Sequence, residues 1–173
     1  RGALEQGDPN AFYDSTDIWS VIRDQLTLGP LQNTATAAGG APALFRLLTS
    51  SASLYVGTQS PGRDISAWNN GTAAWDAEVA GLSADPTDMD EFLGVLWVAN
   101  GEANNMRKKT GGAWADGVVP ADLILAVGNQ ILYRIDNINE LYYTTIAAPA
   151  GADWTGPFYI GDTNAQVRGM AVY

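Results

Sequence analysis

The chain has 173 residues, 46% hydrophobic and 16% charged, which allows one folded domain and excludes a disordered chain. Its net charge of −10 argues against nucleic acid and anionic membrane surfaces as partners, since both need clustered cations. With neither Cys nor His, it has no disulfides, no thiolate or imidazole metal sites, and no nucleophile or triad built on those residues.

From the N-terminus, Arg1-Gly2-Ala3-Leu4-Glu5 contains no apolar run of signal-peptide length, and no later stretch approaches a membrane span. Lacking an initial Met, the chain reads as a processed product or a piece of something longer. Ala3-Leu4-Glu5-Gln6-Gly7-Asp8 is a weak copy of a short strand that recurs more strongly downstream. The strong copies are Ser53-Leu54-Tyr55-Val56-Gly57-Thr58, Val95-Leu96-Trp97-Val98-Ala99-Asn100 and Ile131-Leu132-Tyr133-Arg134-Ile135-Asp136. After each comes a Gly-containing or polar turn, a Trp and a short alternating strand, with Trp19, Trp75, Trp114 and Trp154 in the recurring place. Val167 to Tyr173 reads as a first strand of a blade, with Ala43 to Thr49 and Leu123 to Gly128 as its counterparts. All these segments are too short for helices and are bounded by Gly, Asn, Ser or Asp.

From Trp75 onward the Trp spacing is about 40 residues, a period that with several strands per repeat signals propeller blades. The expected fold is therefore an all-β β-propeller, a single domain over 1–173 with four blades of about four strands. The blades are about 41–81, 87–119, 121–161, and a composite of 167–173 with 1–24. An inter-blade insertion, rich in Ala, Thr, Gly and Pro, occupies 28–41. The composite blade follows from matching Val172-Tyr173-Arg1-Gly2-Ala3-Leu4 to Val127-Gly128-Asn129-Gln130-Ile131-Leu132. Closure within one chain leaves no open edge. Two other arrangements do the same: half of an eight-bladed ring, or strand exchange between subunits.

The turns before the recurring Trp residues resemble the Asp-box hairpins of sialidase-like propellers. The copies are Asp14-Ser15-Thr16-Asp17-Ile18-Trp19, Asn69-Asn70-Gly71-Thr72-Ala73-Ala74-Trp75, Lys109-Thr110-Gly111-Gly112-Ala113-Trp114 and Pro149-Ala150-Gly151-Ala152-Asp153-Trp154. The Trp is kept in all four, and the box Asp only loosely, as Asp17 and Asn70. Small propellers of this kind are common in phage and secreted bacterial proteins. The resemblance implies folding elements on the blade exterior, with the Trp residues in the core. Trp97 is expected between blades and Trp68 exposed, able to stack on a sugar. Arg46 and Arg168 are expected at matching places on innermost strands, so that Trp68, Arg46 and Arg168 are the candidate ligand-binding residues.

No catalytic, cofactor or resident-metal site is expected, and Glu102, Asp136 and Glu140 read as loop or strand-end acids. Asp85, Asp88, Asp90 and Glu91 offer oxygen ligands for Ca²⁺ but lack the spacing of an EF-hand, so a solvated connection between blades is the plainer reading. Asn70-Gly71-Thr72 fits a glycosylation sequon. The function expected is a non-enzymatic structural or recognition module of a virion (tail, fibre or decoration) or of an extracellular assembly. Its partners would be proteins or further copies of itself, without nucleic acid or membrane insertion. A glycan-binding lectin or a glycoside hydrolase-like propeller is the alternative.

Overall fold

Strands form where short β-branched and aromatic segments are punctuated by Gly, Asn, Asp and Pro. The computed structural model describes residues 53–72, 74–162 and 164–172, except the Glu102 side chain, and the backbone alone of 18–22, 25–28 and 42–48. Among the described residues there is no α-helix, only a single 3-10 turn at Gly151–Asp153. Among these residues no helix is long and apolar enough to cross a membrane.

The chain divides into two compact units, residues 1–35 and 36–173. In the first, β1 (Ile18–Ile22) pairs antiparallel with β2 (Gln25–Leu28), and Trp19 lies opposite Thr27. The sequence reading ends the first repeat at 24 and does not foresee β2. Residues 1–17 and 29–41 lie outside the described residues, and with them the expected strand Ala3 to Gln6 and nearly all of the expected insertion.

The second unit holds three four-stranded antiparallel sheets, each a meander of consecutive strands. The first comprises β3 (Pro42–Leu48), β4 (Ser53–Thr58), β5 (Ile65–Asn69) and β6 (Ala74–Val79). The second comprises β7 (Asp88–Phe92), β8 (Val95–Ala99), β9 (Gly101–Thr110) and β10 (Ala113–Ala121). The third comprises β11 (Leu123–Val127), β12 (Ile131–Asp136), β13 (Glu140–Thr144) and β14 (Thr155–Tyr159). The leading strands adjoin in chain order, β3 beside β7 and β7 beside β11.

Turn chemistry sets the registers. Phe92 lies opposite Val95, so Leu93 (φ 50°) and Gly94 (φ 76°) form a two-residue turn with both residues left-handed. That is the backbone of a type I′ hairpin, whose twist matches that of the flanking strands.

The period-two alternation of β8 makes the second sheet two-faced. Leu96 and Val98, with Met89, pack on Tyr55, Ile65 and Leu82 of the first sheet and its connection. Val95, Trp97 and Ala99, with Phe92 and Met106, pack on Ile124, Leu132 and Trp154 of the third. Trp97 is 1% exposed, so it does lie between sheets. Each large side chain buried this way contributes about 1.5–3 kcal/mol. At the equivalent place in each second strand, Leu96 and Leu132 are buried, whereas Leu54 is only half-buried. In the recurring Trp position, Trp154 is buried and Trp75 and Trp114 are half-buried.

Cations also lie among aromatic rings at each sheet boundary. Between the first and second sheets, Lys109 Nζ donates to Tyr55 Oη (3.0 Å) and to Glu78 (2.6 and 2.7 Å), and Trp114 Nε1 donates to Glu78 (2.8 Å). At the second boundary, buried Arg134 donates to the Pro120 carbonyl and to Asp136, both at 2.8 Å. Its guanidinium lies 3.9 Å from the centre of the Tyr142 ring and 5.1 Å from that of Trp154.

At the C-terminus, residues 164–172 form no strand among the described residues, and the expected pairing partner, Ala3 to Gln6, lies outside them. The chain here is held by the loop between β12 and β13 instead. The Asn139 amide donates to the carbonyls of Ile160 (3.3 Å) and Asp162 (3.2 Å), and the Val167 amide donates to the Ile138 carbonyl (2.9 Å).

Candidate functional site

A cleft of about 310 Å³ lies between the β6–β7 connection, Val79 to Ser83, and the outer strands of the second sheet. Its polar wall comes from Asn100, at the joint of β8 and β9, from Asn104, Asn105 and Arg107 on β9, and from Asp116 on β10. Register explains the grouping. Val98 lies opposite Arg107, and Arg107 opposite Asp116, so these three share the face turned toward the first sheet. Between Asp116 and Pro120 the β9–β10 register slips, as at a β-bulge; such irregularities re-aim nearby side chains.

Two buried polar atoms in this wall lack partners among the described residues. Asn100 is 4% exposed, and its amide oxygen meets no donor. Arg107 pairs through its Nη1 with the Asp116 carboxylate, yet its buried Nε meets no acceptor. A buried polar group left unpaired costs about 1–3 kcal/mol, so such atoms in native folds normally meet a ligand or ordered water.

The Lys109 cluster stands next to this wall, one pair further along the same face, where Lys109 lies opposite Trp114. Burial works against the ammonium charge, but the hydrogen bonds to Glu78 and Tyr55 outweigh it and hold Lys109 above the usual lysine range.

The residues singled out from the sequence do not converge. Trp68 is half-buried, set edge-on to Trp75 with ring centres 5.3 Å apart, and its Nε1 donates to Asn70 Oδ1 (2.9 Å). Arg46 lies opposite Tyr55 on β3, with its side chain outside the described residues. Arg168 is exposed on a segment that belongs to no strand, so the expected strand-to-strand match with Arg46 does not form. Asn69 rather than Asn70 organises the β5–β6 turn: its Oδ1 accepts from the amides of Gly71 (2.9 Å) and Thr72 (3.3 Å).

The acidic run points in several directions. Asp85 accepts from Arg63 Nε (2.9 Å) and the Ser60 amide (3.0 Å). Asp88 Oδ2 accepts from the Ile124 amide (3.0 Å), and Asp90 Oδ2 from the Ala126 amide (2.7 Å). β11 ends its sheet, so half of its amides have no ladder partner. Two of them are met by carboxylates from β7. Among the described residues no three acidic side chains gather into a metal-holding group, Glu91 included.

Asp136 pairs with Arg134, and Glu140 accepts from Tyr142 Oη (2.9 Å) and Asn137 Nδ2 (3.2 Å). Burial and the Glu140 carboxylate raise the Tyr142 phenol above its ordinary pKa. Sequence reasoning passed over Asn100, Asn104, Asn105, Arg107 and Asp116. The one available signal was three Asn residues between 100 and 105, unusual in a strand. The chain matches no protein-family model and no curated protein.

Proposed function

We propose that the chain is a non-enzymatic scaffold and recognition module, built as a β-propeller with degenerate Asp-box-like turns, that serves a virion or another extracellular assembly. The observation carrying this reading is the serial stack of three four-stranded meanders whose leading strands adjoin in chain order. Such a stack is what radial repetition produces, and it supports a ring completed by the rest of this chain or by a second one. The Asn69-capped turn before Trp75 supports the Asp-box likeness. Sparse charge and protein partners or self-assembly complete the reading. Native mass spectrometry joined to electron cryo-microscopy of the purified chain tests it, with a closed ring of four or eight sheets expected. Open particles with three stacked sheets, or turnover of a glycoside, would sink it.

The alternative of a glycan-binding propeller is favoured by one observation, the polar cleft with its two unpartnered buried atoms. It is compatible with the scaffold reading.

A further inference from the structure

We infer that the β5–β6 turn is an acceptor site for an N-linked glycan, with the sugar carried on Asn70 and its first ring seated on the indole of Trp68. The inference rests on the extracellular part of the reading above, because the sugar donor is met on the secretory route.

Asn70-Gly71-Thr72 is the one Asn-x-Ser/Thr string in the 173 residues. Such a string is frequent by chance, so its place in the fold decides its meaning. It occupies the tip of a hairpin, with Trp68 opposite Trp75 and Asn69 opposite Ala74. Asn70, Gly71 and Thr72 are all exposed. Asn69 holds the turn: its Oδ1 accepts from the Gly71 and Thr72 amides, and its Nδ2 donates to Asp76 Oδ2 (2.7 Å). A substituent on Asn70 disturbs none of these bonds.

Trp68 fixes which atom of Asn70 is offered. Its Nε1–H donates to the Asn70 carboxamide at 2.9 Å, and an indole N–H meets only an acceptor, so that atom is Oδ1. The other branch of the same carboxamide, Nδ2, is the atom that carries an N-linked sugar. In the transfer, Nδ2 forms a bond to the anomeric carbon of a lipid diphosphate-linked N-acetylhexosamine. The bond from that carbon to the diphosphate oxygen breaks, its electron pair leaves with the diphosphate, and Nδ2 gives one proton to the transferase. Thr72 supplies the hydroxyl of the acceptor string. With Oδ1 still beside the indole, the first sugar ring stays within reach of Trp68. That indole is partly exposed, and its edge-on contact with Trp75 covers at most one of its faces. A pyranose has an apolar C–H face that packs on such a ring.

The test compares the full chain made with a cleavable secretion leader in cultured animal cells with the same chain made in a bacterial cytosol, where no such transferase acts. Intact mass and peptide mapping should find an N-acetylhexosamine-based glycan on Asn70 of the secreted chain, and none on secreted Asn70→Gln or Thr72→Ala. The glycosylated chain should melt about 2–4 °C above the bare one. Trimming to a single N-acetylglucosamine with an endoglycosidase should keep that gain, since only the first ring meets Trp68. In Trp68→Ala the glycan should attach while the gain disappears; comparing each background with its own bare form removes the cost of the lost indole. Should Trp68→Ala fail to fold, nuclear Overhauser contacts between the Trp68 indole and the first sugar of the parent chain serve instead. A bare Asn70 in the secreted chain overturns the inference. So do a glycan that leaves the melting temperature unchanged, an undiminished gain in Trp68→Ala, and missing Overhauser contacts. Because the leader itself supplies the secretory passage, a closed ring with a bare Asn70 would refute the inference alone. An open particle of three sheets with a glycan seated on Trp68 would refute the scaffold reading alone.

Discussion

Gly117 sits where the second sheet leaves no room for a methyl group. A Cβ there would lie 2.9 Å from the Met106 carbonyl oxygen and 3.2 Å from the Trp97 ring, itself locked between sheets. Gly117→Ala should therefore cost about 1–3 kcal/mol, read as a lowered urea midpoint with unchanged slope. At the other face of the same sheet, Glu78 accepts from both Lys109 and Trp114. Glu78→Gln keeps the shape but withdraws the charge and should lose about 1.5–3 kcal/mol, checked by chemical denaturation. The same groups set a pH dependence. Lys109 and Tyr142 both have folded pKa values above their ordinary ones. A raised folded pKa gives stability that is fully present below the unfolded pKa and lost as pH rises through the folded one. The melting temperature should thus fall steeply above about pH 10, where free Tyr and Lys titrate. In Glu78→Gln and Tyr142→Phe that alkaline slope should be shallower, and an unchanged slope in both would refute the assignment.

At the scale of elements, the β7–β8 hairpin carries an avoidable strain. Leu93 holds a left-handed backbone that Asn tolerates far better, and its side chain is 40% exposed. Leu93→Asn creates the favoured Asn-Gly turn and should stabilise the protein by about 1 kcal/mol, seen as a higher melting temperature. The strand that follows the turn backward, β7, acts on its neighbour through side chains. Asp88 and Asp90, two residues apart and on one side of the strand, meet alternate amides of β11 in step. They do for β11 what a further paired strand would do. Asp90→Ala should leave the Ala126 amide unmet and cost about 1.5–3 kcal/mol by the same denaturation assay. Ca²⁺ offers a second check on this role. With the carboxylates turned to backbone amides, added Ca²⁺ should raise the melting temperature no more than Mg²⁺ at equal ionic strength. A selective Ca²⁺ effect lost in Asp88→Asn would support the cation reading of the run.

For the whole molecule, the central sheet has a neighbour on each face, and its boundaries are fixed by apolar clusters and by two cations among aromatic rings. The C-terminal stretch adds little to this. Beyond Val167, Arg168, Gly169, Ala171 and Val172 are exposed, and among the described residues no strand takes them up. Truncation after Val167 should accordingly change the melting temperature by less than about 2 °C, far below the shift expected for losing a packed strand. A sharp fall, or a changed particle mass by native mass spectrometry, would mean that the tail completes a sheet after all.

The sequence by itself determined that the chain is all-β and built from short strands, because alternation and turn residues act over neighbouring positions. It also marked Trp97, Leu54, Leu96 and Leu132 for burial, since a strand repeated with the same apolar order tends to hide the same side chains; Leu54 is the exception, only half-buried. Only the tertiary structure decided what the polar residues do. Asp88 and Asp90 look like a solvated or cation-binding run until β11, over thirty residues later, brings its free amides alongside. Asn100, Arg107 and Asp116 form no motif, because register across β8, β9 and β10 gathers them and no spacing along the chain records it. The tail resembles a first strand in sequence, yet among the described residues it forms none, and Asn139 and the Ile138 carbonyl bind the chain there. Local patterns specify which backbone shape a segment adopts; which buried donors and acceptors meet depends on contacts that form only when the sheets stack.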